Sequence, residues 1–127
     1  MSLQDRPARF NVTLPVTVRE DIIDSPRIAG LVSKDISVGG LAVEIQDADL
    51  SAKLLDGRVP GLWIEIQLPD RTRPEMVMAR KMWCRDLGDG KTISGFRFLG
   101  FAEEAQRRIY DYLSDLLDRE ADKETDA

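Results

Sequence analysis

The sequence predicts a small, mostly β domain of six short strands closed by one C-terminal helix. Three observations predict it. Apolar and polar residues alternate in successive short segments, turn-forming residues separate those segments, and the apolar period lengthens near Ala102 from two to between three and four. Six strands followed by a helix point to a small antiparallel barrel or closed sandwich, with the helix packed on one side or end. A length of 127 residues suits one domain with one core, and a 43% hydrophobic share separates the chain from disordered sequences.

The first strand is expected over Phe10–Arg19, where Phe10, Val12, Leu14, Val16 and Val18 alternate with Asn11, Thr13, Pro15, Thr17 and Arg19. Pro15 cannot donate to a ladder, so an edge or bulge is expected there. Asp24-Ser25-Pro26 punctuates a turn before a second strand, Ile28–Ile36. The polar turn Asp35–Gly40 joins it to a third strand carrying Leu41, Val43 and Ile45, as a hairpin. Residues 47–60 read as irregular, with one helical turn around Leu50–Leu55. Leu62, Ile64, Ile66 and Leu68 mark a fourth strand. The fifth covers Glu75–Arg85, with Val77, Ala79 and Trp83 on one face and Met76, Met78, Met82 and Cys84 on the other. Gly88-Asp89-Gly90 turns into a sixth, Thr92–Leu99. Ala105, Ile109, Tyr112, Leu113 and Leu116 then form the apolar stripe of a helix ending near Arg119. The expected organisation is an N-terminal arm (1–9), the barrel with its helix (10–119) and a disordered acidic tail (120–127).

Composition narrows the function. The chain has no histidine, which removes the commonest general base and metal ligand, and it shows no carboxylate pair, metal motif or phosphate loop. Its single cysteine, Cys84, cannot form an internal disulfide and reads as an inert thiol. A binding protein is expected rather than an enzyme, with no cofactor and no metal. The net charge of −5 disfavours a nucleic-acid polymer as partner, since that affinity comes mainly from phosphate neutralisation. Residues 1–9 lack the apolar stretch of a secretory leader. No run reaches the roughly 18–20 apolar residues of a membrane span, so a cytoplasmic protein off the membrane is expected.

Two features remain: Arg6-Pro-Ala-Arg9 before the first strand, and Asp35-x-Ser37-x-x-Gly40 at the turn after the second. Together they resemble the signature of the PilZ domains, receptors for the bacterial second messenger cyclic di-GMP. That signature pairs Arg-x-x-x-Arg before the first strand with Asp/Asn-x-Ser-x-x-Gly on the barrel surface. The likeness runs from Arg9 to about Leu117. ARFNVTLPVTV resembles the opening strand and KDISVGGLAVEI the motif hairpin. GLWIEIQLPD, MARKMWC and ISGFRFLGF look like the later strands. The resemblance implies a six-stranded antiparallel barrel with a C-terminal helix, and a cyclic di-GMP site formed by Arg6, Arg9, Asp35, Ser37 and Gly40. Asp35 would accept hydrogen bonds from a guanine edge, Ser37 would bond ligand polar atoms, and Gly40 would allow close backbone approach or a positive φ. Arginine can engage phosphate bidentately, bond guanine O6 and N7, or stack on a base. The first motif departs from the pattern, because four residues before Arg9 stands Asp5, and Arg6 is only three away.

Structural readings stand beside these. Asp35 and Ser37 can cap their own turn, Gly39-Gly40 suits any tight hairpin, and Trp83 reads as core or barrel wall. The methionines read as adaptable packing. The expected output is contact with an unidentified protein partner in control of motility, exopolysaccharide or biofilm, and a homodimer is open. The alternative is a PilZ-fold interaction protein that binds no nucleotide, of the kind acting in type IV pilus assembly.

Overall fold

The computed structural model describes residues 11–21, 25–69, 71–100 and 103–126. Eight elements follow in order: β1 (Pro15–Arg19), β2 (Ile28–Ser37), β3 (Gly40–Ile45), α1 (Ala48–Leu55), β4 (Gly61–Ile66), β5 (Glu75–Gly88), β6 (Lys91–Gly100) and α2 (Glu103–Asp126). The strands close into an antiparallel barrel of order β1-β2-β3-β6-β5-β4, with β1 pairing β4 to complete the ring. Closure removes the exposed strand edges that a small open sheet would carry.

Alternation places one residue in two inside. Val16, Val18, Ile36, Leu41, Val43, Ile45, Leu62, Ile64, Ile66, Val77 and Ala79 are buried and fill the barrel. The helices plug its two ends. Leu50 and Leu54 of α1 are buried near Ile45 and Thr92, where the Ser51 hydroxyl bonds both the Ile45 carbonyl and the Thr92 hydroxyl. Ile109 and Leu113 of α2 enter the core from the other end. There Arg108 grips the buried carboxylate of Glu75 with two guanidinium nitrogens.

Several boundaries differ from the sequence-based expectation. β1 begins at Pro15 and not Phe10, which lies outside the described residues. Pro15 has no N–H, and the preceding Leu14 N–H bonds the Ser33 hydroxyl instead of a ladder carbonyl. The expected single turn around Leu50–Leu55 is an eight-residue helix, because Asp47 caps it by accepting the Leu50 N–H at 2.8 Å. α2 stays helical through Asp126, whereas its end was expected near Arg119 with a disordered tail beyond. The apolar stripe stops there, but the sequence from Arg119 to Asp126 holds no Gly or Pro and is rich in helix formers. Loss of the apolar stripe therefore does not mark the end of the helix.

The candidate ligand site

Two bulges set the geometry of the site. In β2, Leu31 and Ser33 point inward and simple alternation would bury Asp35 as well. The register shifts between Ser33 and Asp35, so Ile36 takes the inward position and is fully buried, while Asp35 is left half-buried. In β5 the shift falls between Lys81 and Trp83. Ahead of it Glu75, Val77 and Ala79 are buried; beyond it the phase reverses. Trp83 stands 44% exposed on the outer surface and Cys84 is half-buried, its sulfur accepting a hydrogen bond from the Ser94 hydroxyl at 3.2 Å. The sequence-based placement of Trp83 in the barrel wall is therefore corrected. The extra residue of a bulge exchanges the two faces, and strict alternation cannot foresee it.

The Trp83 indole lies on Gly95 of β6. A Cβ at Gly95 would fall 2.1 Å from Trp83 Nε1 and 2.4 Å from Cε2, so no other residue fits beneath the ring without displacing it. This close approach had a signal in the sequence, a lone glycine inside a strand. Around the indole, Ser37, Gly39, Gly40, Met82, Gly95, Phe96 and Arg97 complete a shallow cavity of about 330 Å³. Arg97 is exposed and has no ion pair among the described residues. The Arg85 guanidinium sits 6.0 Å from the indole centroid, at the outer limit of a cation–π contact.

The structure brings some of the expected site residues together. Ser37 and Gly40 line this cavity, and Asp35 lies two residues from Ser37 on β2 without lining it. Arg6 and Arg9 lie outside the described residues. Ser37 is buried, and its hydroxyl accepts the Gly39 N–H at 3.2 Å and donates to the Gly40 carbonyl at 3.4 Å, which closes its own turn. Gly40 does not adopt a positive φ. It allows close approach instead, since a Cβ there would stand 2.1 Å from the Phe96 carbonyl oxygen of the paired strand.

The point where the chain enters the barrel is also fixed. Ser33 is 1% exposed, its hydroxyl accepting the Leu14 N–H at 3.0 Å and donating to the Val12 carbonyl at 2.6 Å. The Ser33 N–H in turn donates to the Leu14 carbonyl at 3.0 Å. Residues 12–14 are thereby tied to β2 beside the bulge that presents Asp35.

A larger groove of about 670 Å³ lies elsewhere, over β4 and β5, with Trp63, Met78 and Leu99 among its lining, and it contains none of the motif residues. Among the described residues, no group of three or more Cys, Asp or Glu side chains could hold a metal ion. No described helix is long and apolar enough to cross a membrane.

A family model described as the PilZ domain matches residues 4–115. No curated protein matches the sequence. Solved structures match the fold. The K. pneumonia MrkH–c-di-GMP complex is 19% identical with a TM-score of 0.66, covering 93% of this chain and 53% of that one. Escherichia coli YcgR in complex with c-di-GMP is 18% identical with a TM-score of 0.60, covering 95% and 49%. The Bacillus subtilis inhibitor of motility MotI/DgrA is 20% identical with a TM-score of 0.61, covering 89% and 51%. The chain thus spans about half the length of the structures it matches.

Proposed function

Because this chain belongs to the PilZ domain family, we propose that it is a receptor for cyclic di-GMP which passes the second-messenger signal to a protein partner by contact. The observation that carries this reading is the exposed Trp83 indole on Gly95, in one cavity with Ser37, Gly39 and Gly40 of the motif turn. An exposed indole lying on Gly95 offers a stacking surface for a purine, a contact worth about 1–3 kcal/mol per base. Arg97 on the rim supplies a guanidinium for a phosphate or for the O6/N7 edge of guanine. Asp35 is the acceptor for a guanine N–H edge.

The arm completes the site. Arg9 precedes the anchored Val12 by three residues, and three residues of chain reach at most about 10–11 Å. Arg9 therefore acts close to β2 and the motif turn, and Arg6 follows within twice that reach. Arg6, three residues before Arg9, then serves in place of an arginine at position 5. The reading is of a binding protein and not an enzyme, acting in the cytoplasm on processes such as motility, exopolysaccharide or biofilm formation. A ligand shared between two arms would make a homodimer.

Two observations favour a second reading, a PilZ-fold interaction protein without nucleotide. The Ser37 hydroxyl is engaged in its own turn and Gly40 is required by the Phe96 carbonyl, so both have uses without a ligand. Calorimetric titration with cyclic di-GMP, using GTP and cyclic GMP as controls, separates the readings. Selective binding at micromolar or tighter affinity, weakened about tenfold or more in Trp83→Ala and Asp35→Ala, is expected of the receptor. Absence of binding by the parent protein establishes the second reading.

A further inference from the structure

We propose that the loop between β4 and β5, together with α2, forms a second anion site that takes a phosphate dianion, free or esterified. The site is independent of the receptor reading and lies apart from the motif turn. β2 and β4 both pair antiparallel with β1, so they run the same way, and the β2–β3 and β4–β5 loops leave the barrel at one end. In the ring order β1-β2-β3-β6-β5-β4 those two joints stand on opposite sides. Arg71, Thr72, Arg73, Pro74, Glu75 and Arg108 line a cavity of about 340 Å³ at the β4–β5 joint. None of them lines the cavity beside Trp83.

One guanidinium of this cavity is fixed from below. Glu75 is 5% exposed, and its two oxygens accept from Arg108 Nε and, at 2.8 Å, from Arg108 Nη2. That pairing leaves the Nη1 donors of Arg108 uncommitted among the described residues. The root of the loop is fixed as well. The Gln67 side-chain amide donates to the Leu68 carbonyl at 3.1 Å and to the Arg71 carbonyl at 2.5 Å, and the Arg71 N–H donates to the Leu68 carbonyl at 3.2 Å. Arg71 and Arg73 are exposed and have no ion pair among the described residues. By contrast Arg27, Lys34, Lys53, Arg58 and Arg119 each meet a carboxylate, as expected in a chain of net charge −5. Three guanidiniums less the one Glu75 carboxylate leave a charge of +2 around the cavity. A phosphomonoester brings about −1.5 to −2 at neutral pH, which matches that surplus, whereas a carboxylate brings a single charge. Its several oxygens also suit guanidinium groups that converge from a helix and a loop.

The test is an NMR titration of the full chain, labelled with nitrogen-15, at constant ionic strength. Inorganic phosphate and O-phosphoserine are the probes, and acetate is the control. The expected result is saturable shifts at the Arg71, Thr72 and Arg73 amides and at Arg108 Nε–H with both phosphates. Acetate should produce none, and the Ser37, Gly39 and Gly95 amides should stay in place. Tighter binding of O-phosphoserine identifies an esterified group as the ligand, and tighter binding of inorganic phosphate a free one. Arg71→Gln and Arg73→Gln should each weaken the response about tenfold, the loss of one charge-assisted contact. Both side chains are exposed, so the variants should keep the parent's thermal midpoint. Shifts that fail to saturate, that acetate reproduces, or that persist at full affinity in both variants would overturn the proposal. So would shifts confined to the motif turn, which would assign the phosphate to the cavity beside Trp83.

Discussion

At the scale of single residues, the two motif-side glycines make separable predictions. Gly40→Ala drives a Cβ to 2.1 Å from a backbone carbonyl that belongs to a paired strand and cannot rotate away. It should destabilise the barrel by about 1–3 kcal/mol, read as a lower denaturation midpoint. Gly95→Ala meets only the Trp83 side chain, which can swing outward. That variant should keep most of the stability and lose cyclic di-GMP affinity to an extent approaching Trp83→Ala. Equal stability losses in the two variants would contradict the assigned contacts. The Asp56 carboxyl is held below the usual carboxylate range, chiefly by the Arg58 backbone N–H. Its stabilising effect is present above the ordinary carboxylate pKa and fades as pH falls through the lowered one. Arg58→Ala keeps that N–H, so an NMR titration should still find the Asp56 pKa lowered. A return to the ordinary value would assign the effect to the side chain.

At the scale of elements, α2 illustrates how packing and helix formation part company. Ile109 and Leu113 are at most 1% exposed and close one barrel end, whereas the stretch beyond Leu117 is charged. Leu113→Ala should therefore cost about 2–5 kcal/mol, as deletions of fully buried leucine do, with a matching fall in the thermal midpoint. Truncation after Arg119 removes no residue of the buried stripe and should leave that midpoint within a degree or two. A large fall on truncation would show that the acidic turns pack against something. The ion pair of Arg108 with buried Glu75 joins the same helix to β5, and losing the arginine alone would strand a carboxylate with little water around it.

At the scale of the whole molecule, the net charge of −5 opposes an anionic ligand, so affinity has to come from local guanidinium groups. Binding of a dinucleotide with two phosphates should therefore weaken as salt rises, by calorimetry across a range of ionic strength. The slope should flatten in Arg97→Gln if that rim residue meets a phosphate. An unchanged slope in that variant would place Arg97 on a base edge or outside the site.

The succession of six strands along the chain, the closing helix and the motif hairpin were legible in the linear chain, and the order in which the strands pair round the barrel was not. Period-two runs such as Leu41–Val43–Ile45 and the stripe Ala105–Ile109–Leu113 state directly which face is buried, because burial follows from the geometry of one element. The family signature was equally legible at Asp35, Ser37 and Gly40, since it is a matter of residue type and spacing. What only the tertiary structure decided is which way side chains point once a strand slips register. The bulge at Lys81–Trp83 moved Trp83 from the expected wall to the outer surface, and the bulge at Ser33–Asp35 turned the motif acid outward. Both depend on pairing with a neighbouring strand, as does the close approach that demands glycine at 40 and 95. A single strand carries no information about what will lie across from it. The sequence determined the barrel and its signature, and long-range pairing determined the surface on which a ligand could rest.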